Sequence, residues 1–445
     1  MEFIHTMPSE DAITPEMEIE ISAGAITTSP PVTPEKQISK ALYILPACLA
    51  LIMTGFGIII PVFPQRLESL GLGSETLALM EGAFGLGTFL FSTPMGIMAN
   101  RIGRKPLVLL ALSGFIVTNL LLAFVNTPVL FILVRFLEGT LVAGFMPASM
   151  AMIGDAVPLS KQGRWIGVMT SAQSGGIALG PAIGGILYQS WGFRSPFLLS
   201  AGIALIASLL ALMLLPETLP EQVRAQALER KAEKQRGETR RAANTPGLFH
   251  LAWLFAALLL IDFGSLFVFP FSLPQYPFFF QHTLHYGAAQ YGLIISAYGL
   301  TVAIFPLVLG RLSDALPKKW LVVLGCLFGG GLNLGMLFLH SYPLLLAASA
   351  ITGIGSALLM PALGTLYLSE TNDQNRSQVM GIRSTAISLA LLIGPLAQAA
   401  ISPLITPPIT FTIATGVSLL ITLFAIMALK NPQNVPMAEK MQNIV

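Results

Sequence analysis

Charge is scarce in this chain of 445 residues. Asp, Glu, Lys and Arg make up 10% of the sequence and hydrophobic residues 54%, and the mean hydropathy is +0.74. A soluble domain carries about 25% charged residues, because its surface must be covered. The composition therefore excludes a soluble globular protein and predicts a membrane protein.

Cysteine and histidine are scarce as well, with two and five residues. Cys48 and Cys326 fall in separate apolar runs, and two such thiols form neither a disulfide framework nor a metal site. His282 and His285 share one loop that offers no further ligands. We expect no metal and no cofactor, with a proton gradient as the energy source. A membrane-embedded enzyme, the alternative class, would need a nucleophile or metal constellation that we do not find.

Twelve apolar runs are long enough to cross a bilayer, which takes about 20 helical residues. They lie near 40–65, 75–99, 106–125, 128–154, 163–189, 194–215, 248–280, 288–312, 319–340, 343–368, 377–402 and 406–429. We therefore predict an all-α integral membrane protein with six helices in each of two halves.

Basic residues predict the orientation, since cytoplasmic loops are enriched in them. With the N-terminus inside, 21 of the 24 Lys and Arg residues are cytoplasmic; Arg66 and Arg194 face out, and Arg135 lies within a span. Both termini are then cytoplasmic, in the plasma (inner) membrane of a bacterium. The net charge of +2 follows from topology and predicts no nucleic-acid partner.

The segments outside the membrane are short. Residues 1–38 form an acidic tail that we expect to be disordered, either an inert leader or a regulatory segment. The N-terminal half covers 39–215, a charged cytoplasmic linker 216–247, the C-terminal half 248–430 and a cytoplasmic tail 431–445. No cleavable signal peptide is expected, because the first long apolar run is a full span.

The two halves repeat the same residues at an offset of 214. Gly96 corresponds to Gly310, Gly139 to Gly353, Gly167 to Gly381, and the Gly180-Pro181 pair to Gly394-Pro395. A duplicated membrane half is the architecture of many transporters, with the substrate path between the two copies.

A glycine- and arginine-rich loop connects spans two and three. It contains Gly96, Asn100, Arg101, Gly103, Arg104 and Lys105, and the second copy has Asp314 at the position of Asn100. The loop resembles the signature loop of the major facilitator superfamily, in which Asn100 would usually be an acid. The resemblance implies a cytoplasmic gate, in which Asp155 pairs with Arg104 and Glu370 is the repeat counterpart of Asp155. A purely topogenic role for the basic residues is the alternative.

Arg135, Glu138 and Gly139 lie within span four, and Arg135 and Glu138 share one helical face. This pattern resembles the fourth-span motif of the same superfamily, with Glu138 in place of the usual Gln. Charges within a span normally face a cavity or a partner. We predict that Glu138 carries a proton under the influence of Arg135; a self-neutralising pair that helps insertion is the alternative.

Span five contains a glycine stripe with a proline in register, formed by Gly176, Gly180, Pro181, Gly184 and Gly185. Three of these glycines are four residues apart and leave one helix face without side chains, and Pro181 bends the helix. The stretch resembles the motif of proton-driven exporters in the superfamily, which implies an outer gate and efflux. Generic packing of small residues is the alternative.

Asp262 stands in span seven with no basic residue nearby in the sequence. We place it at mid-membrane, unpaired, where desolvation favours the neutral carboxyl, and predict that it couples proton flow to transport. A structural acid bonded to a backbone group is the alternative. Residues that could line a substrate cavity are Glu81, Met146, Met150, Gln173, Tyr291 and Tyr298, although they could equally belong to the core.

Over residues 40–430 the chain thus resembles the twelve-span drug:proton antiporter branch of the superfamily. The resemblance implies a monomeric, proton-coupled exporter of small lipophilic or amphipathic compounds that works by alternating access. Efflux of a metabolite such as a siderophore or sugar, and lipid translocation, are the alternatives within transport.

Overall fold

The computed structural model describes residues 43–157, 159–219, 252–371 and 376–429. The predicted acidic tail, most of the linker and the C-terminal tail lie outside these residues. The described part is helical and contains no β-strand. Its helices are α1 Ile44–Ile59, α2 Val62–Ser69, α3 Ser74–Ile102, α4 Arg104–Phe124, α5 Pro128–Val142, α6 Phe145–Ala156, α7 Leu159–Trp191, α8 Arg194–Leu214, α9 Ala256–Ser272, α10 Tyr276–His282, α11 Ala288–Ala315, α12 Lys318–Gly329, α13 Gly331–Phe338, α14 Tyr342–Ser369, α15 Arg376–Ile401 and α16 Pro407–Ala428.

Helices dominate because the bilayer interior offers no water to the backbone, so each peptide group must be satisfied within its own segment. Eleven helical segments of the described part are long and apolar enough to cross a membrane. Four of them are pairs of consecutive helices, such as α1 with α2. The eleven segments and α7 together match the twelve predicted spans one for one.

Helix α7 is the predicted fifth span and is not among those eleven segments. At 33 residues it is long enough to cross a bilayer. Its glycines and polar residues lower its mean hydropathy. Such residues suit a helix that packs against other helices over much of its surface. The multi-pass architecture is therefore as predicted.

We refer to helices α1 to α8 as the N-terminal half and to helices α9 to α16 as the C-terminal half. We call the end of the bundle where α3 meets α4 the inner side, and the end where α4 meets α5 the outer side, following the predicted orientation. The halves meet through α7 against α11 and α3 against α15.

Close contacts between the halves lie towards the outer side. The backbone N–H of Ala182 in α7 donates to the Ser296 hydroxyl in α11 over 3.0 Å. The Gln275 amide donates to the Ser74 hydroxyl over 2.9 Å. On the inner side, the repeat-related Gly167 and Gly381 have open space where a side chain would begin. The bundle is thus closed at the outer end.

Candidate functional site

A cluster of three charged side chains lies inside the N-terminal half. The Arg135 guanidinium contacts one carboxylate oxygen of Glu138 at 2.9 Å and both carboxylate oxygens of Glu81 at 2.9 Å. The side chain of Glu138 is fully buried, that of Arg135 is 2% exposed and that of Glu81 is 21% exposed. The predicted partnership of Arg135 and Glu138 is therefore present, with Glu81 as a second carboxylate.

The local sequence explains how these groups meet. Arg135 and Glu138 are three residues apart on α5, so they share a helix face. Gly139 follows, and a methyl group at this position would collide with the Phe84 carbonyl of α3. This close approach brings α3 near enough for Glu81 to reach Arg135. Aromatic rings surround the guanidinium carbon, which lies 4.6 Å from the Phe84 centroid and 5.4 Å from that of Phe56.

The cluster opens on a cavity of about 430 Å³ between the halves. Glu81, Gln173 and Tyr291, all predicted to line a substrate cavity, do line it. Tyr298 does not; its hydroxyl donates to Ser356 over 3.1 Å. Met146 and Met150 pack against the hydrophobic core of the N-terminal half instead. The aromatic lining residues are Phe56, Phe63, Phe84, Phe269 and Tyr291.

The prediction that Asp262 is unpaired is wrong. Its carboxylate accepts two contacts from the Arg383 guanidinium, at 2.8 and 3.4 Å. Arg383 lies within the span Val379–Ile401, although the count of basic residues placed it in the cytoplasm. Asp262 is the seventh residue of the span Ala256–His282 and so lies closer to the inner side than predicted. The guanidinium carbon of Arg383 also lies 5.0 Å from the Tyr367 ring centroid.

The Asp262–Arg383 pair was missed because its members are 121 residues apart and meet only through the packing of α9 against α15. One signal was available in the sequence, since a basic residue inside an apolar run requires a partner. With Arg383 beside it, Asp262 loses the isolation on which its proton-coupling role was argued.

The inner-side loop places Arg104 next to Asp155, with the guanidinium nitrogen and carboxylate oxygen 3.1 Å apart. The predicted ion pair is therefore present, and its role in gating stays a prediction. Gly103 has a φ of +119°, a conformation that favours glycine. Gly96 lies near Pro147, and Arg101 and Glu370 are exposed. The side chains of Asn100 and Asp314 lie outside the described part.

Sequence reasoning missed Glu217, which it had assigned to the linker. Its carboxylate accepts the backbone N–H groups of Arg104 and Lys105 at 3.0 and 3.1 Å. These are the first residues of α4, whose N–H groups have no partner within the helix. Glu217 thus ties the end of the N-terminal half to the glycine- and arginine-rich loop.

The glycine stripe of α7 has two faces. Gly176, Gly180 and Gly184 face α1 in the same half; a methyl group on Gly180 would lie 2.5 Å from the Gly57 Cα. Gly185 and Pro181 face α11 of the other half, where they approach Ala288 and Gly292. The contact with the other half is therefore made by the second face together with α11, whose contribution the sequence analysis did not include. The role of this contact as an outer gate stays a prediction.

Comparison with known proteins agrees with this architecture. The family model "Major Facilitator Superfamily" matches residues 47–282 and 263–442, so the chain belongs to the major facilitator superfamily. Membership makes it a multi-pass membrane transporter rather than an enzyme.

The chain is similar to several bacterial proteins along most of their length. It is 27% identical to "Multidrug resistance protein 2" of Bacillus subtilis, covering 77% of this chain and 83% of the relative. It is 26% identical to "Multidrug resistance protein MdtG" of Klebsiella pneumoniae, covering 86% and 92%. It is 28% identical to "Multi-drug resistance efflux pump PmrA" of Streptococcus pneumoniae, covering 79% and 86%.

Solved structures share the fold. The human organic anion transporter MFSD10 (TETRAN) superposes with a TM-score of 0.63 at 22% identity, covering 86% of this chain and 98% of that one. A variant of the nucleoside transporter NupG gives 0.66 at 13% identity, covering 88% and 100%.

Proposed function

We propose that this protein is a proton-coupled exporter of small lipophilic or amphipathic compounds in the plasma (inner) membrane of a bacterium. Inward proton flow would drive cargo outward by alternating access of the central cavity. The multidrug resistance proteins and the efflux pump to which the chain is similar support export. The charged cluster and the cavity support the coupling.

The observation that carries the proposal is the presence of two carboxylates on one guanidinium. With all three groups ionised, Glu81, Arg135 and Glu138 sum to one negative charge. One carboxylate oxygen of Glu138 is buried without a hydrogen-bond partner in the described part. An ionised group in that state is costly. One proton, or one cationic cargo molecule, brings the cluster to neutrality.

Antiport requires the cluster to alternate between two neutral states, one with a bound proton and one with a bound cationic cargo molecule. Glu81 lines the cavity and is the partly exposed carboxylate, so cargo can approach it. Glu138 lies behind Arg135 and is fully buried. A cation near Glu81 weakens the hold of the cluster on its proton, because like charges repel. Aromatic walls favour such a cation through the negative faces of their rings.

The positions of the contacts between the halves support alternating access. Contacts of α7 with α11 close the outer side in this structure. Release of cargo outward would require these contacts to open while the inner ends of the halves approach each other.

The test is export by purified protein in proteoliposomes with an imposed pH gradient. We expect Glu138→Gln to lower pH-driven export at least tenfold, because Arg135 and Glu81 then balance and the cluster carries no net negative charge to exchange. Downhill exchange of cargo should persist. Glu75→Gln is the matched control, since Glu75 is an exposed acid at the start of the same helix as Glu81. Uphill export by Glu138→Gln at the wild-type rate would remove this cluster from the coupling mechanism.

A further inference from the structure

The two halves contribute unequally to the polar lining of the cavity. From the N-terminal half come Glu81, Thr88, Arg135 and Gln173. The described lining residues of the C-terminal half are Phe269, Pro270, Leu273, Tyr291, Leu391 and Pro395. Tyr291 alone among these carries a polar side-chain group. Any hydrogen bond from a C-terminal side chain of this lining to cargo must come from its hydroxyl.

The Tyr291 ring is held in place by the protein. The residue is 2% exposed, and its ring centroid lies 5.5 Å from that of Phe280. The surrounding cluster includes Ile294, Leu332 and Met336. A ring packed in this way leaves the hydroxyl little freedom to move away from the cavity.

The Tyr291 hydroxyl forms no hydrogen bond with any residue that the structure describes. The protein does not fully enclose this hydroxyl oxygen. Since Tyr291 lines the cavity, its hydroxyl reaches the cavity. Buried tyrosine hydroxyls normally find a partner. In Tyr291 that capacity is left for a molecule inside the cavity.

Tyr298 lies seven residues further along α11 and provides the contrast. Its ring stacks on Phe269 with centroids 5.3 Å apart, and its hydroxyl already donates to Ser356. On the same helix, the hydroxyl of Tyr298 thus has a hydrogen-bond partner within the protein, whereas that of Tyr291 has none among the described residues.

We propose that the Tyr291 hydroxyl is a specificity-determining contact that hydrogen-bonds to cargo held in the cavity. It discriminates between compounds that carry hydrogen-bonding groups and compounds of equal charge that carry none. Because cargo beside Glu81 would also touch Tyr291, this contact links an occupied N-terminal half to α11, the helix that closes the outer side. This inference rests on the proposed export of amphipathic compounds.

The experiment compares Tyr291→Phe with wild type on two monovalent aromatic cations. Ethidium carries two aromatic amino groups, whereas tetraphenylphosphonium has no hydrogen-bonding group. Binding to purified protein and transport into proteoliposomes are both measured. We expect Tyr291→Phe to weaken ethidium binding about two- to tenfold, the range of one net hydrogen bond, and to leave tetraphenylphosphonium within about twofold.

Tyr298→Phe is the control, since it removes one hydroxyl from the same helix away from the cavity. It should change the binding of both cations by the same factor. Equal loss of both cations in Tyr291→Phe would show a structural role and overturn the inference, as would unchanged ethidium binding or a wild-type protein that binds neither cation. Failure of the proposed function gives a different result. Transport would then not respond to the pH gradient, while Tyr291→Phe would still weaken the binding of ethidium more than that of tetraphenylphosphonium.

Discussion

Glu68 and His282 are separated by 214 residues, the offset of the internal repeat, and their side chains meet. The His282 ring nitrogen lies 2.6 Å from a Glu68 carboxylate oxygen. Two repeat-related residues can touch only close to the axis that relates the two halves. This ion pair joins the N-terminal half to the C-terminal half. This contact lies on the outer side, as does the Gln275–Ser74 hydrogen bond.

The first prediction concerns the strength of this outer link. The side chains of His282 and Glu68 are 58% and 32% exposed, so water screens the pair and about 0.2–1 kcal/mol is expected. Glu68→Gln should therefore raise the outward-open population by at most about fivefold. The pair carries opposite charges only when the imidazole is protonated.

Spin labels at Thr127→Cys and Ser341→Cys report the outer distance, with Cys48 and Cys326 replaced by alanine. These positions are also 214 residues apart, and both are exposed at the starts of α5 and α14. His282→Gln should resemble Glu68→Gln, and the double variant should add little to either. An additive double variant would mean that the two residues act separately.

The second prediction concerns the Asp262–Arg383 pair. The side chains of Asp262 and Arg383 are 0% and 12% exposed, so removal of one partner leaves a buried charge that costs about 3–5 kcal/mol. Asp262→Asn and Arg383→Gln should each lower the melting temperature and the yield of monodisperse protein. The double variant should recover most of both.

The same variants test whether Asp262 couples proton flow to transport. We expect the double variant to retain pH-driven export, because the proposed coupling groups are Glu81 and Glu138. Loss of uphill export together with wild-type stability in the double variant would return Asp262 to the mechanism.

Local patterns in the sequence predicted the architecture and much of the site. Long apolar runs predicted twelve spans, and helical spacing predicted that Arg135 and Glu138 share a face. The errors have a common physical origin, which is pairing between residues that are distant in sequence. Arg383 was counted as cytoplasmic, and Asp262 was left without a partner, because helix-to-helix contacts leave no periodic signal in either span. Glu217 was assigned to the linker because a helix-capping role depends on where the chain returns after α8.

The third prediction concerns Glu217 at the start of α4. Its carboxylate meets the partial positive charge of a helix N-terminus and accepts hydrogen bonds from the backbone N–H groups of Arg104 and Lys105. Glu217→Gln should cost about 1 kcal/mol of stability, a drop of about 2 °C in melting temperature. Glu370→Gln is the control, because Glu370 is an exposed acid at the inner end of α14. Equal melting temperatures in the two variants would remove the capping role.

The last prediction separates the two faces of the glycine stripe. Gly292 of α11 packs on α7 so closely that a methyl group would collide with the Pro181 carbonyl oxygen. Gly292→Ala should therefore push the halves apart on the outer side, at a cost of about 1–3 kcal/mol to the closed state. The distance between labels at 127 and 341 should lengthen, and folding should be preserved because each half keeps its own core.

Gly180→Leu should instead destabilise the protein, since Gly180 contacts α1 within its own half. Gly175→Ala is the matched control, because the space around Gly175 is open. An unchanged label distance in Gly292→Ala would show that the contact of α7 with α11 does not hold the outer side closed.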